Sequence, residues 1–190
     1  MVHRCKWATN EELMKEYHDK EWGTPQHDDK MLYELLILEG MQAGLSWNTV
    51  LKKRDNFRRV FDNFDYTKII KYSENKIEEL MQNEGIIRNR LKIQSVITNA
   101  KCFIEVQQEF GTFDKYIWAF VNNKTVHNSW KKLEELPSNT ALSDKISKDM
   151  KKRGFKFIGT TIIYAFLQAI GVVNDHTTDC FRYDELVNLP

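Results

Sequence analysis

The chain has 190 residues, of which 28 are Lys or Arg and 27 are Asp or Glu, so its formal net charge is +1. Hydrophobic residues make up 42% and charged residues 29%, which excludes a disordered or collagen-like chain and predicts one compact domain over residues 1–190. Eight Gly and three Pro favour long helices over a turn-rich β-sandwich.

The predicted elements are all helices, and no segment shows the alternation typical of a strand. Periodic apolar positions, capping residues and glycine stops place them over residues 29–41, 46–61, 73–85, 86–108, 113–121, 143–154 and 160–171.

No segment of the sequence predicts a secretory leader or a membrane span. The first residues are charged, and the densely apolar run 162–170 is too short to cross a bilayer, so it predicts a buried helix. Three cysteines indicate a reducing compartment without a disulfide framework. We therefore expect a cytoplasmic protein without a membrane partner, acting as a monomer.

The small net charge conceals a segregation of charges along the chain. Residues 1–40 hold five basic and nine acidic residues. Residues 47–59 hold five basic and one acidic residue, 86–101 hold four and none, and 143–159 hold six and two, so each of these three segments has a net charge of +4. On one shared face they would form a footprint for a polyanion such as DNA; the alternative is that they are solvated helix faces.

Residues 143–171 are predicted to form two helices joined by a tight hairpin. Gly154 can adopt a positive φ and end the first helix, and Gly159 lets the backbone approach a partner closely. Thr160 or Thr161 is expected to cap the second helix, whose free N–H groups attract a phosphate. The pattern resembles a helix-hairpin-helix, which grips the DNA backbone without reading bases. The alternative is an ordinary turn between packed helices.

Two thiol–imidazole pairs lie at opposite ends of the chain, Cys5 with His18 and His176 with Cys180. The spacing of four in the second pair would place both side chains on one face of a helical turn. Two Cys and two His form a structural zinc set when they close a tetrahedron. Such a zinc would tie segments 1–24 and 172–190 together and leave no open position for catalysis; the alternative is two surface histidines and two buried thiols.

Glu39 follows the apolar stretch 31–38 and precedes a glycine-containing turn. Tyr17, Trp22 and Trp47 are candidates for an aromatic cage around it, since aromatic faces attract cations and stack on bases. The alternative is that these large side chains belong to the core.

Taken together, these motifs resemble the bacterial 3-methyladenine DNA glycosylase I family over nearly the whole chain. The resemblance rests on Arg4-Cys5-x-Trp7, Tyr17-His18-Asp19-x-Glu21-Trp22-Gly23, Leu38-Glu39-Gly40-x-Gln42-Ala43-Gly44-Leu45-Ser46-Trp47, Gly85-Ile86-Ile87-Arg88, Trp118-x-Phe120-Val121-Asn122, Lys152-Arg153-Gly154-Phe155-Lys156-Phe157-Ile158-Gly159-Thr160-Thr161 and Asn174-Asp175-His176.

The resemblance implies an all-α helix-hairpin-helix glycosylase fold whose terminal segments are joined by one structural zinc on Cys5, His18, His176 and Cys180. It implies Glu39 as the catalytic residue, and a base pocket formed with Tyr17, Trp47, Trp22 and Trp7. It implies DNA contacts at Gly44, Leu45, Phe155, Lys156, Gly159, Thr160 and Thr161. Some relatives have Tyr where this chain has Met14.

The implied reaction is hydrolysis of the N-glycosidic bond of 3-methyladenine in double-stranded DNA, as the first step of base excision repair. Relatives that also cut the strand have a Lys at the position of Thr161, so the resemblance implies a monofunctional enzyme that leaves an abasic site and frees 3-methyladenine. Those relatives also use an Asp after the second helix, and Asp175 and Asp179 lie nearby. Because both flank zinc ligands, we expect them to support the zinc ligands; the alternative is the role of that Asp. The alternatives are a zinc-stabilised DNA-binding protein without chemistry, and a metal-dependent hydrolase.

Overall fold

The computed structural model describes residues 2–189, and over that range the chain is mostly helical, as predicted. The helices are α1 (Glu12–Lys20), α2 (Asp29–Gln42), α3 (Trp47–Val60), α4 (Tyr66–Ile69), α5 (Glu74–Met81), α6 (Arg90–Phe110), α7 (Phe113–Ala119), α8 (Ala141–Lys152), α9 (Thr160–Ala169) and α10 (Phe181–Val187). Short 3₁₀ turns lie at Lys6–Ala8, Asp62–Phe64 and Leu133–Glu135. No helix in this range is long and apolar enough to cross a membrane.

The predicted all-α fold is confirmed, with one short pair of strands in addition. Strands β1 (Val126–His127) and β2 (Val173–Asn174) pair in parallel, with Val126 opposite Val173. Strands of two residues are too short for a pattern of alternation to be visible in the sequence.

Helix ends follow the capping residues, and this explains where the predicted bounds hold and where they fail. Ser46 caps α3 by accepting from the Thr49 amide at 3.2 Å, as predicted. The long helix α6 begins four residues later than predicted, because the Asn89 side chain caps it through the Lys92 amide at 3.1 Å. It ends at Phe110, two residues later than predicted, and the next residue, Gly111, has φ +89°.

The predicted start of the first hairpin helix and the predicted cap of the second are both wrong. Helix α8 begins before Ser143, because Thr140 and Ser143 form a reciprocal capping box. The cap of α9 is Gly159 and not Thr160 or Thr161. The Thr160 hydroxyl instead bonds with Ser143 at 2.9 Å, which joins the starts of the two helices.

Helix α2 lies at the centre of the core, with α3, α6, α7 and α9 packed around it. Every residue from Leu32 to Met41 is buried, which accounts for its nearly continuous apolar sequence. Because the helix ends soon after Glu39, this carboxyl lies where the buried core meets the surface. The end of α2 therefore positions the candidate site.

Candidate active site

A cavity of about 270 Å³ opens beside the end of α2. The structure brings all five residues assigned to the base pocket to its walls: Trp7, Tyr17, Trp22, Glu39 and Trp47. Sites for drug-sized ligands usually hold about 300–1,000 Å³, so this cavity suits a smaller molecule such as a single nucleobase.

The aromatic walls are built from rings that contact one another edge to face or at a tilt. The Trp7 and Trp22 ring centroids lie 4.9 Å apart with planes at 78°. Tyr17 and Trp47 lie 5.2 Å apart with planes at 48°. These contacts stabilise each ring in one orientation, so the walls are preformed.

Three buried polar atoms around this cavity have no hydrogen-bond partner in the described part of the chain: the Tyr17 hydroxyl, the second carboxylate oxygen of Glu39 and the Trp47 indole nitrogen. Nearly all buried polar groups in folded proteins are hydrogen-bonded, because an unsatisfied one costs about 1–3 kcal/mol. Two donors and one acceptor without hydrogen-bond partners around one cavity indicate that a polar ligand binds there and supplies the missing partners.

Burial changes the protonation of the carboxyl in this cavity. Glu39 is 4% exposed, and desolvation raises its pKa from 4.5 to about 8. Burial, followed by the charge of Glu39, also raises the pKa of Tyr17. The free site therefore holds a neutral carboxylic acid at neutral pH. A cation entering the cavity would favour the ionised form.

A second groove continues from the first past the same carboxyl. It measures about 230 Å³ and has Gly44 and Leu45 on one side, with Thr161 at the start of α9 on the other. Gly44 adopts φ +77°, and Leu45 is 43% exposed although it is apolar. The structure thus places the exposed turn and the start of α9 on opposite sides of one trough that leads to Glu39.

The hairpin between α8 and α9 is firmly held. Gly154 has φ +96°, as predicted. The Ser147 hydroxyl donates to the Ile158 carbonyl at 2.7 Å. The Asn99 amide donates to the Lys156 carbonyl at 3.0 Å and its oxygen accepts from the Lys156 amide at 2.8 Å, which fastens the hairpin to α6.

Phe155 requires a correction, because its side chain is 3% exposed and packs near Phe113, with centroids 6.3 Å apart. It cannot contact DNA through its ring. The buried ring of Phe155 instead anchors the hairpin to the core.

The three basic segments do not form one free footprint. Arg54 donates to Glu21 and Glu34, and the buried Lys92 donates to main-chain carbonyls, so much of the charge in 47–59 and 86–101 is engaged inside the protein. In 143–159, exposed lysines without an ion pair in the described structure remain at Lys145, Lys148, Lys151, Lys152 and Lys156. Of the three basic segments, the one that contains the hairpin therefore has the most exposed charge without an ion pair.

The two thiol–imidazole pairs from the ends of the chain meet in one buried cluster. The ligand atoms of Cys5, His18, His176 and Cys180 all lie within 4.8 Å of one another, so the group could hold a metal ion. The His18 Nδ1 bonds to Asp19 at 2.8 Å and the His176 Nε2 to the Trp22 carbonyl at 3.0 Å, which turns the other nitrogen of each ring towards the thiols.

The segment from His176 to Cys180 is an irregular turn that precedes α10, not the helical turn that its spacing suggested.

Comparison with known proteins agrees with this arrangement. A family model described as methyladenine glycosylase matches residues 7–183. The chain belongs to this family.

Curated relatives match the chain almost end to end. DNA-3-methyladenine glycosylase 1 of Escherichia coli (strain K12) is 48% identical over 182 residues, covering 96% of this chain and 97% of the relative. DNA-3-methyladenine glycosylase of Haemophilus influenzae (strain ATCC 51907 / DSM 11121 / KW20 / Rd) is 46% identical over 180 residues, covering 95% and 97%.

Solved structures of methyladenine glycosylases have the same fold. A crystal structure of 3-methyladenine DNA glycosylase I is 47% identical, with a TM-score of 0.92 over 94% of this chain and 98% of that one. The enzyme from Staphylococcus aureus, studied for its recognition of 3-methyladenine, is 32% identical with a TM-score of 0.92, over 95% and 96%. The family resemblance that the motifs predicted is confirmed.

The role expected for two aspartates of this methyladenine glycosylase is wrong. Asp175 accepts hydrogen bonds from Asn128, Trp130 and Gln168 and from the Tyr164 hydroxyl, and from none of the cluster ligands. Asp179 pairs with exposed His3 at 3.2 Å. Asp175 thus joins α9 to the segment after β1, and the support of the cluster comes from Asp19 and Trp22.

Sequence reasoning missed six residues that line the same methyladenine glycosylase cavity. They are Met14, Gln42, Leu133, Leu136, Ala165 and Gln168, of which Met14 was noted only as a departure from some relatives. Ala165 and Gln168 lie four and seven residues after Thr161 on α9. This spacing places all three on one face of the helix, so they could have been predicted from Thr161. Leu133 and Leu136 come from an irregular segment whose sequence carries no signal of its fold.

Proposed function

We propose that the chain is a monofunctional DNA glycosylase that hydrolyses the N-glycosidic bond of 3-methyladenine in alkylated double-stranded DNA. The curated relatives are DNA-3-methyladenine glycosylases, and one similar structure is a variant of 3-methyladenine DNA glycosylase I in complex with 3-methyladenine. The observation that carries the proposal is the preformed aromatic cavity with three unsatisfied polar atoms on its wall. A DNA-binding protein without chemistry would have no use for such a cavity.

The cavity suits a base that carries a positive charge. Methylation at N3 makes adenine cationic, so the faces of Tyr17 and Trp47 attract it, at about 0.5–2 kcal/mol for each contact. The cation also favours ionisation of Glu39, whose carboxylate then accepts a hydrogen bond from the amino edge of the base. Undamaged adenine is neutral and leaves the buried carboxyl protonated, so it gains neither effect.

The chemistry needs little acid catalysis because methylation has already weakened the bond from the base to C1′ of deoxyribose. As this bond breaks, the electron pair returns to the ring and 3-methyladenine leaves as a neutral base. Water adds to C1′ and loses a proton, which gives the hydroxyl of an abasic sugar. The carboxylate of Glu39, held at the amino edge of the base, keeps the cationic ring in position for this step.

Access to the base requires that the nucleotide leaves the stack, at a cost of a few kcal/mol. We propose that Leu45, carried by the turn at Gly44, fills the gap that the nucleotide leaves. Backbone amides of Gly159, Thr160 and Thr161 at the start of α9 hold a phosphate. The exposed charge of Lys156 adds attraction without sequence preference.

The absence of lyase activity follows from the residues of the pocket. Thr161 stands where strand-cutting relatives have Lys, and none of the residues found to line the cavity is a lysine. Without an amine to attack C1′, the reaction ends at the abasic site.

For the cluster of two thiols and two imidazoles, we propose one structural zinc ion. Ligands at ordinary zinc–sulfur and zinc–nitrogen distances in a tetrahedron lie about 3.6 Å apart. The thiol of Cys180 lies 3.4 Å from the near nitrogen of His18 and 3.5 Å from that of His176, as such a set requires. Four protein ligands close the site, so the ion would join segments 1–24 and 172–190 and take no part in the reaction. One domain over residues 1–190 is part of the same proposal.

The decisive experiment incubates the protein with N-methylated duplex DNA and identifies the released base by mass. We expect 3-methyladenine from the parent protein and a rate lower by about 100-fold for Glu39→Gln, since a reactant held about 1 Å out of place loses on that order. Glu109→Gln, which changes an exposed carboxylate paired with Arg153, is the matched control and should keep the parent rate.

Two outcomes would contradict parts of this proposal. No release by the parent protein, with DNA binding retained, would leave a DNA-binding protein without chemistry. An unchanged rate for Glu39→Gln would remove Glu39 from the mechanism.

A further inference from the structure

Lys92 is a buried lysine at the start of α6 that the proposed reaction does not use. Its side chain belongs to a residue only 6% exposed, and its Nζ donates to the Met41 carbonyl at 2.9 Å and to the Ala43 carbonyl at 2.6 Å. Burial lowers its pKa. It cannot serve as a free cation for DNA, although it lies in a basic segment.

The two carbonyls that Lys92 contacts belong to the exposed end of α2. The last four carbonyls of a helix have no partner within the helix. Here two of them accept from amides of the turn that follows, at 3.3 and 2.7 Å. The other two are those of Met41 and Ala43, so Lys92 completes the set. Its charge at a helix C-terminus is also favourable to the helix dipole.

Packing does not hold the turn beyond this point. A Cβ built on Gly44 would meet nothing within 4 Å, and the side chain of Leu45 is largely exposed. The contacts of Lys92 with the preceding carbonyls are therefore the tertiary hydrogen bonds nearest to the turn.

We propose that Lys92 is a positioning residue for strand entry. By holding the carbonyls of Met41 and Ala43, Lys92 fixes the direction in which Leu45 enters the duplex. Glu39, which lies one helical turn before Ala43, faces the cavity. The inference deepens the proposed function and rests on it. Loss of the lysine should impair entry of Leu45 and leave the base cavity unchanged.

The test compares Lys92→Met with Lys115→Met, which removes an exposed lysine on α7. Insertion is followed in a duplex with a tetrahydrofuran abasic analogue opposite 2-aminopurine, whose fluorescence changes when a side chain enters the gap. Leu45→Gly serves as the reference for loss of insertion. Base binding is followed by tryptophan fluorescence with free 3-methyladenine.

We expect Lys92→Met to lose most of the 2-aminopurine signal, as Leu45→Gly does, and to excise from duplex DNA about 10- to 100-fold more slowly, a typical cost of misplacing a group by about 1 Å. Its affinity for free 3-methyladenine should stay within about twofold of the parent value. Lys115→Met should match the parent in all three measurements.

A full 2-aminopurine signal in Lys92→Met would overturn the inference. So would an equal loss of affinity for the free base, because Lys92 would then support the whole pocket. If Lys92→Met does not fold, Lys92→Gln replaces it, since its shorter side chain cannot reach both carbonyls, and the same selective loss is expected. Failure of the proposed function is a separate result, seen as no base release by the parent.

Discussion

Burial of the Glu39 carboxyl destabilises the fold, and the same carboxyl binds the base in the proposed reaction. A carboxyl buried without a charged partner is stable only in its neutral form, which is why its pKa rises to about 8. The sequence indicated this residue through its apolar surroundings and its place before a turn. It did not show that one carboxylate oxygen would lack a hydrogen-bond partner, because that depends on the side chains of α1 and α3 that surround it.

Glu39 should make stability fall with rising pH. Below pH 4.5 the carboxyl is neutral in both the folded and the unfolded chain. Between 4.5 and about 8 only the unfolded chain ionises, so the free energy of unfolding decreases, and above 8 the penalty is constant. Glu39→Gln should therefore gain stability over the parent protein as pH rises, by about 1–5 kcal/mol at pH 8.

Urea unfolding at pH 5.5 and pH 8 measures this difference. Glu109→Gln is the control, because its partner Arg153 lowers the pKa of Glu109 and no gain with rising pH is expected there. A stability difference between Glu39→Gln and the parent that does not change with pH would contradict the buried neutral carboxyl.

At the scale of elements, the sequence located the α8–α9 hairpin through its two glycines but misplaced the start of α8 and the cap of α9. Gly154 has the predicted positive φ, since only glycine adopts it without strain. The caps failed because Ser143 and Thr160 each offer a hydroxyl that competes for more than one partner, and the choice depends on how the two helices pack. Helix positions were therefore predictable, and the contacts between helices were not.

The exposed charge on this hairpin predicts a defined salt dependence. Lys156→Gln should weaken binding to undamaged duplex DNA, and the slope of log affinity against log salt should become shallower by about 0.9, the value for one phosphate contact. Affinity for free 3-methyladenine should not change. Titrations at several salt concentrations measure the slope.

Lys115→Gln, on α7, should keep the slope of the parent protein. An unchanged slope for Lys156→Gln would show that the hairpin lysine lies away from the DNA backbone, and would leave phosphate binding to the amides of α9 alone.

At the scale of the whole molecule, the N-terminal segment packs tightly on the end of α9. The Gly23 amide donates to the Gln168 carbonyl and the Gln26 amide to the Ile170 carbonyl, both at 3.0 Å. Residues 23–26 pass directly over Gly171, where a Cβ would lie 2.5 Å from main-chain atoms of Thr24 and Pro25. The sequence predicted that Gly171 ends the helix, and gave no sign that another segment crosses it.

Gly171→Ala should be far more destabilising than Gly111→Ala. Both glycines have a positive φ, so both variants carry a strain of about 1 kcal/mol. At Gly111 the nearest atom to a new Cβ is the flexible end of Lys115 at 3.6 Å, whereas at Gly171 the backbone itself must move. We expect an additional loss of at least about 2 kcal/mol for Gly171→Ala in denaturant unfolding. Equal losses of stability in the two variants would mean that residues 23–26 can move away from a Cβ at position 171 at little cost.

Removal of the proposed zinc should loosen the ends of the chain and lower the activity only through that loss of structure. We expect one zinc per chain by elemental analysis. Treatment with a strong chelator should lower the melting temperature by several degrees and expose the segment before α1 to protease. Activity should fall in proportion to this loss of structure. Loss of activity with unchanged melting and helicity would favour a metal that acts in catalysis.

The cluster of thiols and imidazoles and the aromatic cavity have a wall in common, and this has a consequence for the order of events during synthesis. The ring of His176 lies 4.6 Å from that of Trp22, which in turn lines the cavity. Trp22 leaves the ribosome early, whereas His176 and Cys180 leave after more than 150 further residues have been added. At about 5–20 residues per second, the aromatic wall waits about 8–30 s for the imidazole that supports it. We therefore expect a nascent chain to complete its pocket only after Cys180 has left the ribosome.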